Sequence, residues 1–243
     1  MTLEESVYAE ALQRDSERLV EAATDNFVAQ VAGCPGWNVR DLVAHTGEVH
    51  RFWSQVVERR LQDPGESEPV HVPSDDELPA WFREGAAHLG RVLASIDGSI
   101  GVWTWSRQKD AAFVKRRMAQ ETAVHRWDAQ SATSKAEPIE PELARDGVDE
   151  LFDVFMPVEE ARLTGHGETV HLHQTDGDSD GEWIVTLGDR ITVERGHTRA
   201  DTAVRGTGSD LLLMLWRRVP PSQLEVLGQP ANLERFLAWI DLT

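Results

Sequence analysis

Glu121 and His125 stand four residues apart in QETAVHRWDA, residues 120–129 of a 243-residue chain. On an α-helix that spacing puts both side chains on one face, a turn apart. A carboxylate and a neutral imidazole so placed can hold one divalent ion. Glu-x-x-x-His pairs also arise by chance, and alone this one reads more simply as a solvated face. The sequence carries no HExxH motif, so a third ligand must come from elsewhere. His45 lies on an apolar stripe of NVRDLVAHTGEV, between Leu42 and Val49. A lone histidine there is ordinarily a satisfied core residue. In an antiparallel bundle it can instead face Glu121 and His125. A His, Glu, His set leaves a fourth position open, as catalytic rather than structural zinc sites do. Burying Glu121 without a cation would be costly, which a metal would explain.

The remaining candidates are weaker. Asp128, three residues past His125, can orient an imidazole as an outer acceptor, or simply sit on the helix surface. His50 follows His45 by five residues, about 140° round a helix, and is expected at the surface or rim. Cys34 is the only cysteine. It lies in a tight turn, GCPGW, with no basic neighbour in sequence, and is expected to be structural. Trp103 and Trp105 fall on a loop where they can line a pocket mouth and contact a cofactor, or join the core. His171 and His173 share one face of a strand and can bind a metal, but their alternation with Val170 and Leu172 suggests a solvent face. DGDSDG at 176–181 imitates the start of an EF-hand loop, yet its twelfth position is Leu187, so a hairpin turn is expected.

These residues need a scaffold. Residues 3–31, 38–62, 76–95 and 110–132 each show helical spacing of apolar residues, with Asn38 as a cap and Asp41 in the first turn. Four such helices predict a bundle. The polar segment QDPGESEPVHVPSDDE separates the second from the third. After TSKAEPIEPE the pattern changes. One helix is expected over 139–163, followed by ETVHLHQT, EWIVTLG and RITVERG, which alternate as an antiparallel meander. TAVRG reads as a further strand, SDLLLMLWRRV as a helix capped by Ser209, and NLERFLAWI as the last helix. The expected fold is two-domain α+β, with a four-helix bundle at 1–138 and a small α+β domain with an antiparallel sheet at 139–243.

Acidic residues number 42 against 24 basic, for a net charge of −18. That field disfavours nucleic acid and anionic membranes as partners. No apolar run approaches the roughly 20 residues that span a bilayer. The acidic N-terminus lacks the features of a signal peptide. A cytoplasmic protein is expected, and a monomer is favoured.

CPGWNVRDLVAHTGEVHRFW followed by QETAVHRWDA resembles the mycothiol-dependent maleylpyruvate isomerase family, whose first domain is a DinB-like four-helix bundle. TAVRGTGSDLLLMLWRR and LGQPANLERFLAWI resemble that family's C-terminal domain. The elements W-x3-D-x3-H and E-x3-H-x2-D carry most of the resemblance. It implies a metal triad on His45, Glu121 and His125, with zinc the expected ion, though nickel, cobalt, manganese or iron suit such a set. It implies mycothiol, an actinobacterial-type thiol, as cosubstrate. It also implies an arginine of the second domain that holds an anionic substrate or the thiol. Arg218 matches that place better than Arg217, but a helix C-terminus favours cations without any function. Metal-bound thiolate would add to an electrophilic small molecule, either for cis–trans isomerisation of a maleylpyruvate-type substrate or for S-transfer. The alternatives are a metal-assisted hydrolase and a non-catalytic binding protein for a small molecule or partner.

Overall fold

The computed structural model describes residues 2–133, 136–156, 165–177 and 181–240. The chain divides into two compact units, Thr2–Glu137 and Pro138–Thr243.

The first unit is built on helices α1 (Glu5–Ala23), α2 (Val39–Glu58), α3 (Leu78–Ala94) and α4 (Ala111–Ala132). α1 stops short of the expected residue 31. The Thr24 hydroxyl bonds back to the Val20 carbonyl, and Asp25 takes the left-handed conformation that ends the helix. α2 opens with a capping box: Asn38 accepts from the Asp41 backbone at 2.9 Å, and Asp41 accepts from that of Asn38 at 3.1 Å. Asp110 caps α4 by accepting from the Phe113 backbone at 3.1 Å.

Side-chain pairs fix the directions of the helices. Glu5 meets Lys115 and Asp15 meets Arg126, so α1 and α4 run parallel. Trp81 meets Arg51 and His88 meets Glu58, so α2 and α3 also run parallel. His45 lies by Glu121, and Trp53 by Phe113, so α2 runs against α4. Parallel neighbours need a connection as long as the bundle, which explains the long polar segment between α2 and α3. Leu19, Val20, Leu42, Val43, Leu78, Phe82 and Ala129 form a core that draws on every helix.

The second unit starts with α5 (Pro141–Glu150), which runs into a π-helical turn at Leu151–Phe155. The rest of the helix expected over 139–163 lies mostly outside the described residues. Strands β1 (Glu168–Gln174), β2 (Glu182–Leu187), β3 (Ile191–Arg195), β4 (Thr202–Gly206) and β5 (Glu225–Gly228) form one sheet in the order β3-β2-β1-β4-β5. α6 (Gly208–Leu215) and α7 (Pro230–Trp239) pack with it.

The antiparallel expectation needs correction. β1, β2 and β3 form an antiparallel meander, but β4 returns to the free edge of β1 and pairs with it in parallel. The sheet is therefore mixed. Residues 196–201 make the return: β3 ends level with Val204, in the middle of β4, because Arg195 pairs with Trp183, Trp183 with Leu172, and Leu172 with Val204. β5 escaped detection because its four residues are short and mostly exposed. Thr207, not Ser209, caps α6; the Ser209 hydroxyl accepts from the Ile139 backbone. Residues 178–180 of the DGDSDG segment lie outside the described residues.

One sheet face carries Val170, Leu172, Trp183, Val185, Leu187 and Val204, all buried. The other carries His171, His173, Glu182 and Ile184. The described residues contain no helix long and apolar enough to cross a membrane.

Candidate metal centre

The antiparallel contact of α2 with α4 brings His45, Glu121 and His125 together, one possible ligand atom from each lying within 4.8 Å of the others. His45 Nε2 stands 3.7 Å from Glu121 Oε1. The His45 and His125 rings meet at right angles, with centroids 5.6 Å apart. A tetrahedral ion with bonds of roughly 2.1 Å has ligand atoms about 3.4 Å apart. The observed spacing is too long for a good hydrogen bond and close to that edge.

Electrostatics favour the charged form of Glu121. Partial burial alone would raise its pKa. The His45 contact, the Arg117 guanidinium at 3.6 Å and the two imidazoles outweigh burial and hold it at about 2. The carboxylate is thus ionised and ready to ligate at any neutral pH.

The surroundings orient the ligands. Buried Asp128 accepts from His125 Nδ1 at 3.1 Å, which leaves Nε2 as the ring nitrogen with a lone pair to offer. The GCPGW turn folds against the same place. Gly36 adopts φ +88, a conformation that side chains disfavour, and closes the turn. This sets the Trp37 ring edge-on to His45 at 4.8 Å and the Cys34 thiol towards Asp128 at 3.8 Å. Cys34, His125 and Asp128 also lie within 4.8 Å of one another. Sequence adjacency hid this, because the basic neighbour of Cys34 comes from α4.

His50 departs from expectation. It is 1% exposed, with Nε2 2.9 Å from the Thr122 hydroxyl, and its Nδ1 has no partner among the described residues. A second proton would add a buried donor with no acceptor. Burial chiefly lowers its pKa to about 4; Glu121 pulls the other way, and the Arg51 charge adds a smaller lowering. Unfolded, His50 takes up a proton as pH falls through 6.5; folded, it stays neutral until about pH 4. The unfolded state therefore binds more protons across that window, and stability falls with pH by up to about 3 kcal/mol. In urea unfolding of chelator-treated protein between pH 7.5 and 4, a His50→Gln variant is expected to lose clearly less stability than the parent. Equal losses would remove His50 from the account.

Trp103 and Trp105 pack two turns along the bundle from the triad. Trp103 stacks on Trp53, with ring centroids 5.9 Å apart and planes 25° from parallel. Trp105 stands edge-on to Phe113 at 5.5 Å and remains 41% exposed. Trp53 follows His45 by eight residues, or about 12 Å along α2. In the second unit, Arg217 donates to the Leu237 and Ile240 carbonyls at the end of α7. Arg218 is half-buried, with Nη1 donating to the Trp216 carbonyl at 2.8 Å.

A helical bundle with two histidines and a glutamate converging between antiparallel helices belongs to the DinB-like class. Residues 9–130 match the model of the mycothiol maleylpyruvate isomerase N-terminal domain, and residues 142–235 that of the MDMPI C-terminal domain. The chain belongs to the mycothiol-dependent maleylpyruvate isomerase family. Two solved structures, the mycothiol-dependent maleylpyruvate isomerase and a point mutant of it, superpose with TM-scores of 0.57 and 0.60. Each is 14% identical to this chain, covering 88% of it and 90% of its own length. At that identity the likeness is one of fold. No curated protein sequence matches the chain significantly.

Proposed function

We propose that this chain is a metal- and mycothiol-dependent enzyme in which His45, Glu121 and His125 hold one divalent ion, zinc above all. The observation that carries this reading is the convergence of those three side chains, one of them an ionised carboxylate, in a member of this family. An ion held there would stabilise a bound thiolate and so supply a nucleophile at neutral pH.

The chain's own residues have separate tasks. Glu121 offsets the positive charge. Asp128 fixes the tautomer and direction of His125, and Trp37 limits rotation of His45. An anionic Cys34 would face the Asp128 carboxylate, so the reacting sulfur is taken from the cosubstrate. Trp103 and Trp105 lie where the far end of an elongated thiol could rest. The resemblance to the family makes Arg218 the candidate cation for an anionic substrate or for the thiol's polar groups. A hydrolase would need a separate base near the ion. The nearest acid, Asp128, is committed to His125.

The test is turnover by the purified, metal-loaded protein with mycothiol and a panel of electrophiles that includes maleylpyruvate and a bimane. Turnover that requires mycothiol is expected. Its absence across the panel, with metal bound, overturns the thiol reading. Isomerised product separates isomerase from S-transferase, which would release a conjugate.

A further inference from the structure

Three of the nine histidines meet in the second unit. We propose that His171, His173, Glu182 and His197 form a second metal site, a His3Glu set that takes one borderline divalent ion such as zinc.

The sheet builds this cluster. His171 and His173 lie two residues apart on one face of β1, and Glu182 of β2 stands directly opposite His173 in the antiparallel register. His197 follows β3. Gly196, with φ +151, turns the chain there, and its amide reaches back to the Glu182 carbonyl at 3.3 Å. His197 Nδ1 is thereby set 3.1 Å from Glu182 Oε1. His173 Nδ1 reaches the same oxygen at 2.6 Å, and His171 Nε2 meets Oε2. One ligand atom from each of the four residues lies within 4.8 Å of the others.

The arrangement exceeds what a salt bridge needs. Two imidazole nitrogens aim at one carboxylate oxygen and a third aims at its partner. A divalent ion takes four such atoms at about 3.4 Å spacing without protonating any of them. His171 and its cross-strand neighbour Ile184 are both buried, so the centre of the cluster is shielded from solvent. Four protein ligands leave no open position, so the ion would brace β1, β2 and the end of β3. Three imidazoles favour zinc, cobalt or nickel over calcium or magnesium.

Full-length protein, stripped by chelator and dialysed against Co(II) or Zn(II), provides the test. A His45→Ala/Glu121→Ala variant is expected to retain one equivalent of metal, with the intense visible bands of tetrahedral Co(II). Adding His197→Ala and Glu182→Gln should weaken that binding at least about a hundredfold. His197 is mostly exposed, so His197→Ala in the otherwise unchanged chain gives the same readout where the larger variant fails to fold: one equivalent fewer. The proposal is overturned if the first variant holds no metal, or if its metal survives loss of His197 and Glu182. Loss of all metal with His45 and Glu121 speaks for the bundle site and against this one. Metal lost with His197 and Glu182 alone does the reverse.

Discussion

Glu121→Ala is expected to remove the metal from the bundle site and to lower thiol-dependent kcat/KM by at least about a thousandfold, or ~4 kcal/mol of transition-state stabilisation. Three ligands hold the ion, and Glu121 is the only anion among them. Its loss leaves two neutral imidazoles beside the positive Arg117, a site that repels a cation. His45→Ala should act in the same direction. Asp128→Asn should act less strongly, because it disturbs only the direction and basicity of His125; a ten- to a hundredfold loss of metal affinity is expected. The order Glu121→Ala, His45→Ala, Asp128→Asn is therefore part of the prediction. Metal analysis of each variant beside steady-state kinetics checks it. Full metal occupancy in Glu121→Ala protein would sink the triad. Full occupancy with unchanged turnover in Asp128→Asn protein would remove Asp128 from the centre.

The juxtaposition of His45, Glu121 and His125 was legible in the sequence because it depends on two local rules. Helical periodicity puts Glu121 and His125 on one face, and the stripe of α2 turns His45 towards α4, where its side chain stays 39% exposed. The Asn38 cap was legible for the same reason. What was not legible depends on contacts between distant segments. Cys34 looked isolated until α4 placed His125 and Asp128 beside it. His50 falls off the stripe drawn through Leu42 and His45, but α2 is buried over a wider arc that includes Thr46, His50 and Trp53. The pairing of β4 with β1 joins segments far apart in sequence, Val170 with Thr202. The HxH of β1 showed two ligands at most, since Glu182 and His197 join it only through the sheet.

Asp15→Ala is expected to destabilise the bundle by about 3–5 kcal/mol without altering the triad. Asp15 and Arg126 are both fully buried, with Arg126 Nε donating to Asp15 Oδ1 at 3.2 Å. Arg126 also donates to Gln130 and to the Glu137 carbonyl, which fixes its direction. Burial lowers its pKa and Asp15 raises it, so the guanidinium is tolerated because the carboxylate is there. Removing Asp15 alone leaves a charge in the core, and that penalty exceeds what the ion pair contributes net. Replacing both partners with leucine should therefore recover most of the loss, a result that simple deletion of contacts would not give. The thermal midpoint of Asp15→Ala protein should fall by roughly 6–20 °C. Arg126 follows His125 directly, yet one residue turns the helix by about 100°, so Arg126 faces α1 while His125 faces α2. Metal content and turnover of Asp15→Ala protein well below its melting point should match those of the parent. A midpoint shift under about 2 °C would mean that the pair contributes little. Metal lost from the still-folded variant would mean that the packing of α1 on α4 also sets the position of His125.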